Sequence, residues 1–281
     1  NVGTIRATTE GVANSFSVMM PCPWVEEIVR FIKDTPEADA GLHLTLTSEW
    51  DVYRWGPLSG KPAVPGLVDD QGSMYRSVPE VVANATADEV YTEIAAQLDR
   101  ARTMGFEPTH LDSHMGTLFA HASFIQKYVQ LGIENQIPVM FPGGHGHYAF
   151  QQYRGQEPMA RAMGRQLWEN GLPGLDDLHN TSYNWGYADE GGAYSEDAAG
   201  DNYKVEEYIE AVKGLQPGVT MMIMHCTQAG DHFEKISESG HTRLGDLNAM
   251  LDPKLKQTIE EEGIILTTFR ELMERRKAVQ E

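Results

Sequence analysis

"TADEVYTEIAAQLDRARTMGFEPTHLDSHMGTLFAHASFIQKYVQLGIENQIPVMFPGG", residues 86–144, reads as helix, strand, helix, strand. Thr86 with Glu89 three residues later is a capping-box pattern, and Gly105 closes the helix that follows. Strands separated by helices run parallel, because a crossover has to return the chain to the same edge of the sheet. The same alternation extends in both directions. Upstream, "NSFSVMMPC" reads as a strand, "PWVEEIVRFIKDTP" as a helix with Trp24, Ile28, Phe31 and Ile32 on one face, and "AGLHLTLTSEW" as a strand. Residues 51–78 are a Gly- and Pro-rich loop.

Downstream, periodicity fades from His145 to about Asp201, and "NWGYADEGGAYSEDAAGDN" reads as a surface loop or lid. "NYKVEEYIEAVKGLQPG" is a helix, and "VTMMIMHCTQ", apolar on both faces, suits a buried parallel strand. "LDPKLKQTIEEEG" is a helix, "IILTTF" a last strand and "RELMERRKAVQE" a terminal helix. The fold class is α/β, in one domain over residues 1–281, with about six strands and no repeat or linker. A closed barrel needs at least one strand more. "NVGTIRATTEGV" reads as a helix already under way, so a first strand, and any targeting segment, is expected upstream of Asn1.

The 281 residues carry 41 acidic and 22 basic side chains, a formal net charge of -19. A phosphate-backbone binder needs a positive footprint, so nucleic acid is excluded as a partner, and the acidity disfavours anionic membranes. No run approaches the ~20 apolar residues of a membrane span. Cys22 and Cys226 lie in apolar, strand-like runs and read as reduced, buried thiols. Neither GxGxxG, GK[ST] nor GxSxG occurs, which removes nucleotide loops and a serine elbow.

Side chains alternate along a strand, so in "HLDSH" His110, Asp112 and His114 share one face. In "GLHLTLT" the three leucines share one face, and His43, Thr45 and Thr47 the other. A lone strand histidine is more often a hydrogen-bonded core residue than a ligand. Two polar stripes are harder to bury without a shared partner, and a divalent metal is the economical solution. His225, late in an apolar strand, suits a general acid or a buried hydrogen-bonded residue equally. Trp50, Tyr53, Arg54 and Trp55 follow the His43 strand, where aromatic faces and a guanidinium either grip a sugar or pack the rim. His145 and His147 in "PGGHGHY" resemble a metal-binding tract but fit an ordinary flexible loop better.

Together "GLHLTLTSEW", "PTHLDSH", "PGV…MMIMHC" and "RLGDLNAMLDPKLKQTIEEEGIILTTFREL" resemble the YdjC-like carbohydrate deacetylase family, which includes chitooligosaccharide deacetylases. The resemblance runs from Asn1 to about Leu272. It implies a TIM-like (β/α) barrel of about seven strands, one divalent ion (Mg or Zn) held by one Asp and two His, and hydrolysis of an N-acetyl group on a sugar. Carried over, His43 and His114 match the metal ligands, and His225 the histidine that assists catalysis, with Cys226 where the family usually has Pro. Asp112, counted with His225 as catalytic, and His110 match positions that orient the ligands. The family's Asp-Asp pair, source of the carboxylate ligand and the base, is expected upstream of Asn1. Read from the aromatic segment itself, the candidate substrate-binding residues are Trp50, Arg54 and Trp55.

The resulting expectation is metal-assisted amide hydrolysis yielding acetate and an amino sugar. Its alternatives are a metal-dependent phosphoester or lactone hydrolase, in which Arg54 would be essential, and a non-catalytic sugar-binding module. The partner is a small carbohydrate, with room for a homodimer. The compartment stays open, leaning cytoplasmic.

Overall fold

The computed structural model describes residues 1–152, 154–185, 203–228 and 230–279. The loop or lid expected at 184–202 falls, from residue 186 onward, outside the described residues. The chain packs as two compact units, one of Ser15–Met140, Arg165–Gly174 and Thr268–Glu281, the other of Asn1–Asn14, Phe141–Gly164 and Leu175–Thr267.

The first of these units is built on three parallel strands in chain order, β1 (Phe16–Val18), β2 (Ala40–Leu44) and β3 (Leu111–Ser113). The helix Val25–Asp34 makes the crossover from β1 to β2, and the route from β2 to β3 includes the helix Ala87–Thr103. That longer helix starts at the reciprocal Thr86–Glu89 box, as expected. Its turn-off is Gly105, whose φ of 78° lies in the left-handed region that glycine tolerates. Leu42, Leu44 and Leu46 are fully buried, which locks the register: Leu42 lies opposite Leu111 and His43 opposite Asp112.

Several expectations change here. The second helix begins at Val25 and buries Val25, Ile28 and Val29; Trp24, at its N-cap, is 61% exposed. Strand β3 ends at Ser113, and His114 opens a 3-10 segment, so the alternation invoked for "HLDSH" stops one residue short. "IPVMFPGG", expected as a strand, contributes two isolated parallel bridges, Val139 to Leu111 and Pro142 to Leu175.

In the other unit, β4 (Asp177–His179) and β5 (Thr220–Met222) pair in parallel. Tyr208, Val205, Leu247, Met250 and Leu255 form its core with Ala7 of the first helix, Val2–Thr9. The stretch expected to be a fully buried strand is shorter and half-exposed, since β5 has β4 as its neighbour on one side. "IILTTF" forms no ladder, and Ile265 within it is 85% exposed. The described ladders thus make one three-stranded and one two-stranded sheet, an α/β fold with few parallel strands and no closed barrel among them.

Candidate active site

Three neighbouring strands build the centre of the site. β1 supplies Ser17, β2 supplies His43 and β3 supplies Asp112. The His43–Asp112 register sets the two side chains together, with Nδ1 2.6 Å from Oδ1. The Ser17 hydroxyl donates to the other carboxylate oxygen at 2.8 Å and lies 3.3 Å from His43 Nδ1. Burial pushes the Asp112 carboxyl up, but the charge and hydrogen bond of His43, the nearby His110 and the Ser17 hydroxyl outweigh it. The pKa ends below the ordinary aspartate value. An ionised carboxylate only accepts, so His43 carries its proton on Nδ1, and Nε2 is the nitrogen that could hold a metal.

His114 reaches the same region by a different route. After Ser113 the backbone enters the left-handed region at Met115 (φ 51°) and Gly116 (φ 64°). The Thr117 hydroxyl donates to the His114 carbonyl at 2.9 Å, and the Thr47 hydroxyl to the Met115 sulfur at 3.4 Å, which pins this tight turn. The His114 ring stands edge-on to that of His43, with centroids 5.1 Å apart. Its Nε2 lies 3.0 Å from Oε2 of Glu49, in the segment that leaves β2.

Ser17 and Glu49 are the two members of this cluster that sequence reading passes over. Alternation in "NSFSV" puts Ser15 and Ser17 on one face, and Glu49 sits inside the quoted "TSEW", so a faint signal exists for each. His110 lies deeper and is fully buried. It stacks on Phe269 at 4.1 Å under Gly41, where a Cβ would come within 2.5 Å of its ring. Burial holds its pKa below the ordinary value against the pull of Asp112 and Asp39.

No three His, Cys, Asp or Glu side chains among the described residues converge as a ready cage for a metal ion. The donor chemistry of the His43–His114 pair still fits one: two imidazoles side by side, each with a carboxylate on one nitrogen.

A model of the family described as YdjC-like protein matches residues 1–261. The chain belongs to the YdjC-like family. This YdjC-like chain is 23% identical over 269 residues to a carbohydrate deacetylase of Thermoanaerobacter pseudethanolicus, covering 96% of this chain and 92% of the relative. It is 26% identical over 275 residues to a carbohydrate deacetylase of Geobacillus stearothermophilus, covering 96% and 91%. A chitooligosaccharide deacetylase of Yersinia enterocolitica is 22% identical over 276 residues, covering 96% and 92%. A crystal structure described as that of a "putative cellobiose-phosphate cleavage protein" from Enterococcus faecalis V583 shares the fold. Its TM-score is 0.73 at 20% identity, covering 96% of this chain and 92% of that one.

The other predicted residues of the YdjC-like chain have distinct settings. Trp55 is 3% exposed, and its indole donates to the Thr47 carbonyl at 2.9 Å. Arg54 grips Asp69 at 2.8 Å and the Met74 carbonyl at 2.7 Å, so its guanidinium braces the loop. Trp50 is half-buried and packs on Tyr53 at 5.9 Å; Tyr53 in turn lies 6.0 Å from the exposed Trp24.

His225 belongs to the other unit. Its backbone N–H donates to Asp246 Oδ2 at 2.8 Å, and its ring stands edge-on to Tyr183 at 5.2 Å. Asp246 Oδ1 accepts from Lys204 Nζ at 2.7 Å and from Tyr208 at 2.9 Å, all three side chains being buried. His145 lies 3.8 Å from Asp177, whose carboxylate is already taken by the backbone N–H groups of Tyr148 and Ala149. His147 is exposed and donates its backbone N–H to His145 Nδ1 at 3.2 Å. Cys22 and Cys226 are free thiols, half-buried rather than fully buried, and burial pushes Cys22 up to about 12, which favours its protonated form. Among the described residues no helix is long and apolar enough to cross a membrane.

Proposed function

We propose that this YdjC-like protein removes an N-acetyl group from an amino sugar or oligosaccharide with the help of one divalent ion. The observation that carries the reading is the His43–His114 pair, each ring held by its own carboxylate, in a chain that aligns almost end to end with carbohydrate deacetylases. His43 and His114 would hold the ion. A bound Mg or Zn would supply an acidified water and a polarised acetyl carbonyl.

The chain's own residues do the rest. Asp112 fixes the His43 tautomer, and Ser17 holds Asp112 in place. His225 is the proposed donor of the proton that the leaving amine requires. The exposed Trp24, with Tyr53 and Trp50, offers ring faces against which a sugar can stack, while Arg54 and Trp55 hold the segment that carries Trp50 and Tyr53. The ion pair of Arg54 with Asp69 weakens the phosphoester alternative, since the guanidinium is occupied. A closed (β/α) barrel belongs to the same proposal.

The functional test is acetate release from a panel of N-acetylated mono- and oligosaccharides, before and after chelation and again after metal is restored. Release that stops with chelation and returns with metal supports the reading. No release from any substrate by the metal-loaded protein overturns it.

A further inference from the structure

We infer that Glu49 is the positioning carboxylate of His114, the counterpart of Asp112 on His43. This rests on the reading of His43 and His114 as a metal pair. The symmetry is visible in the contacts. Asp112 takes Nδ1 of one ring at 2.6 Å, and Glu49 takes Nε2 of the other at 3.0 Å. An imidazole that donates one N–H to a carboxylate has its tautomer decided and its ring orientation held, and the opposite nitrogen becomes the donor to metal. By this logic Nε2 of His43 and Nδ1 of His114 would hold the ion.

Glu49 is built to hold its place. The His114 and Glu49 side chains are only 12% and 22% exposed, so water competes weakly for their hydrogen bond. Fixing a glutamate costs rotamer entropy, and that cost is smaller where the backbone around it is already held. Ser48 N–H donates to the Tyr75 carbonyl at 2.8 Å, and the Ser48 hydroxyl accepts from Trp55 N–H at 3.0 Å and Arg54 Nε at 3.2 Å. On the far side Arg76 reaches the Trp50 carbonyl at 3.3 Å and the Asp51 carboxylate at 2.5 Å. The segment carrying Glu49 is therefore clamped on both sides. Two carboxylates beside the two imidazoles also give the pair a local charge that favours a divalent cation.

The test reads the imidazoles directly. Histidine side-chain nitrogens of the metal-free protein are followed by NMR at about pH 8.5, where ordinary histidines are neutral. The wild-type His114 should be the Nε2–H tautomer and His43 the Nδ1–H tautomer. Glu49→Ala should turn His114 into a mixture and leave His43 unchanged. Calorimetric titration with Zn or Mn should show affinity falling about 10–100-fold in Glu49→Ala, the range for loss of such a partner. Glu49→Gln keeps an acceptor oxygen and should lose less than Glu49→Ala. With cadmium bound, coupling should appear on His114 Nδ1.

A His114 that is Nδ1–H in the wild type, cadmium coupling on its Nε2, or Glu49→Ala affinity within twofold of wild type overturns the inference. Activity absent from a protein that binds the ion in this Glu49-dependent way overturns the deacetylase reading alone. A wild-type protein that binds no ion overturns both.

Discussion

Replacing Lys204 with Met should destabilise the protein by about 3–5 kcal/mol, the cost of leaving one partner of a buried ion pair behind. Lys204 and Asp246 are both fully buried, 2.7 Å apart. Burial holds the Lys204 ammonium below its ordinary value and the Asp246 carboxyl above its own, so each charge depends on the other and still does not recover its hydration. Asp246→Asn should cost a similar ~3–5 kcal/mol, since it strands the ammonium. If the losses were independent, the double variant would lose about 6–10 kcal/mol.

The hydrogen bonds predict something different. With both charges gone, the amide that Asp246→Asn introduces can accept from the His225 N–H through its oxygen and donate to the Tyr208 oxygen through its nitrogen, which leaves one amide N–H without an acceptor. That leaves a loss of about 1–3 kcal/mol for the double variant. Equilibrium urea unfolding of the four proteins, followed by circular dichroism, measures the cycle. A double variant as unstable as the sum of the singles, or a Lys204→Met protein within about 1 kcal/mol of wild type, refutes the reasoning.

Asp112→Ala should bind Zn or Mn about 10–100-fold more weakly, because no acceptor remains to hold the His43 tautomer, and Asp112→Asn, which keeps an acceptor oxygen, should lose less; calorimetry with unchanged affinity in Asp112→Ala would count against the assigned role. The buried His110 has a depressed folded-state pKa, so its share of stability is complete above about pH 6.5 and is lost as pH falls through the folded value. His110→Gln should flatten that part of a curve of urea midpoint against pH, and an unchanged slope would show that His110 is not its source. Trp24→Ala should raise KM for oligosaccharides about 2–10-fold with little change in kcat, matching the ~0.5–1.5 kcal/mol of a stacked ring. Equal effects on kcat, or none on KM, would remove Trp24 from the substrate platform.

Local signals are sufficient for the helices. The Thr86–Glu89 box and the glycine after Thr103 stand within twenty residues of each other, and the helix Ala87–Thr103 follows. The polar stripe of β2 is legible for the same reason, since alternation around buried leucines is a short-range pattern. His114 shows where such reading stops: its placement depends on left-handed backbone at Met115, and a methionine carries no sign of that. Trp24 escapes the pattern because the exposed N-cap lies one residue before the amphipathic run. Ser17 and Glu49 become meaningful only through partners 95 and 65 positions away, a pairing that local spacing does not encode. "IILTTF" has β propensity, yet propensity alone does not form a ladder without neighbouring backbone.

The β2–β3 register has a consequence for how this chain tolerates insertions. A one-residue slip of β2 would carry Leu42 or Leu44 to the polar face, exposing side chains worth about 1.5–3 kcal/mol each when buried. The same slip would take His43 away from Asp112. Errors in alignment at this strand are therefore punished first as misfolding, before any catalyst is tested. Variants that fold at all arrive with the histidine correctly addressed, while the exposed turn at 61–63 can lengthen or shorten without disturbing it.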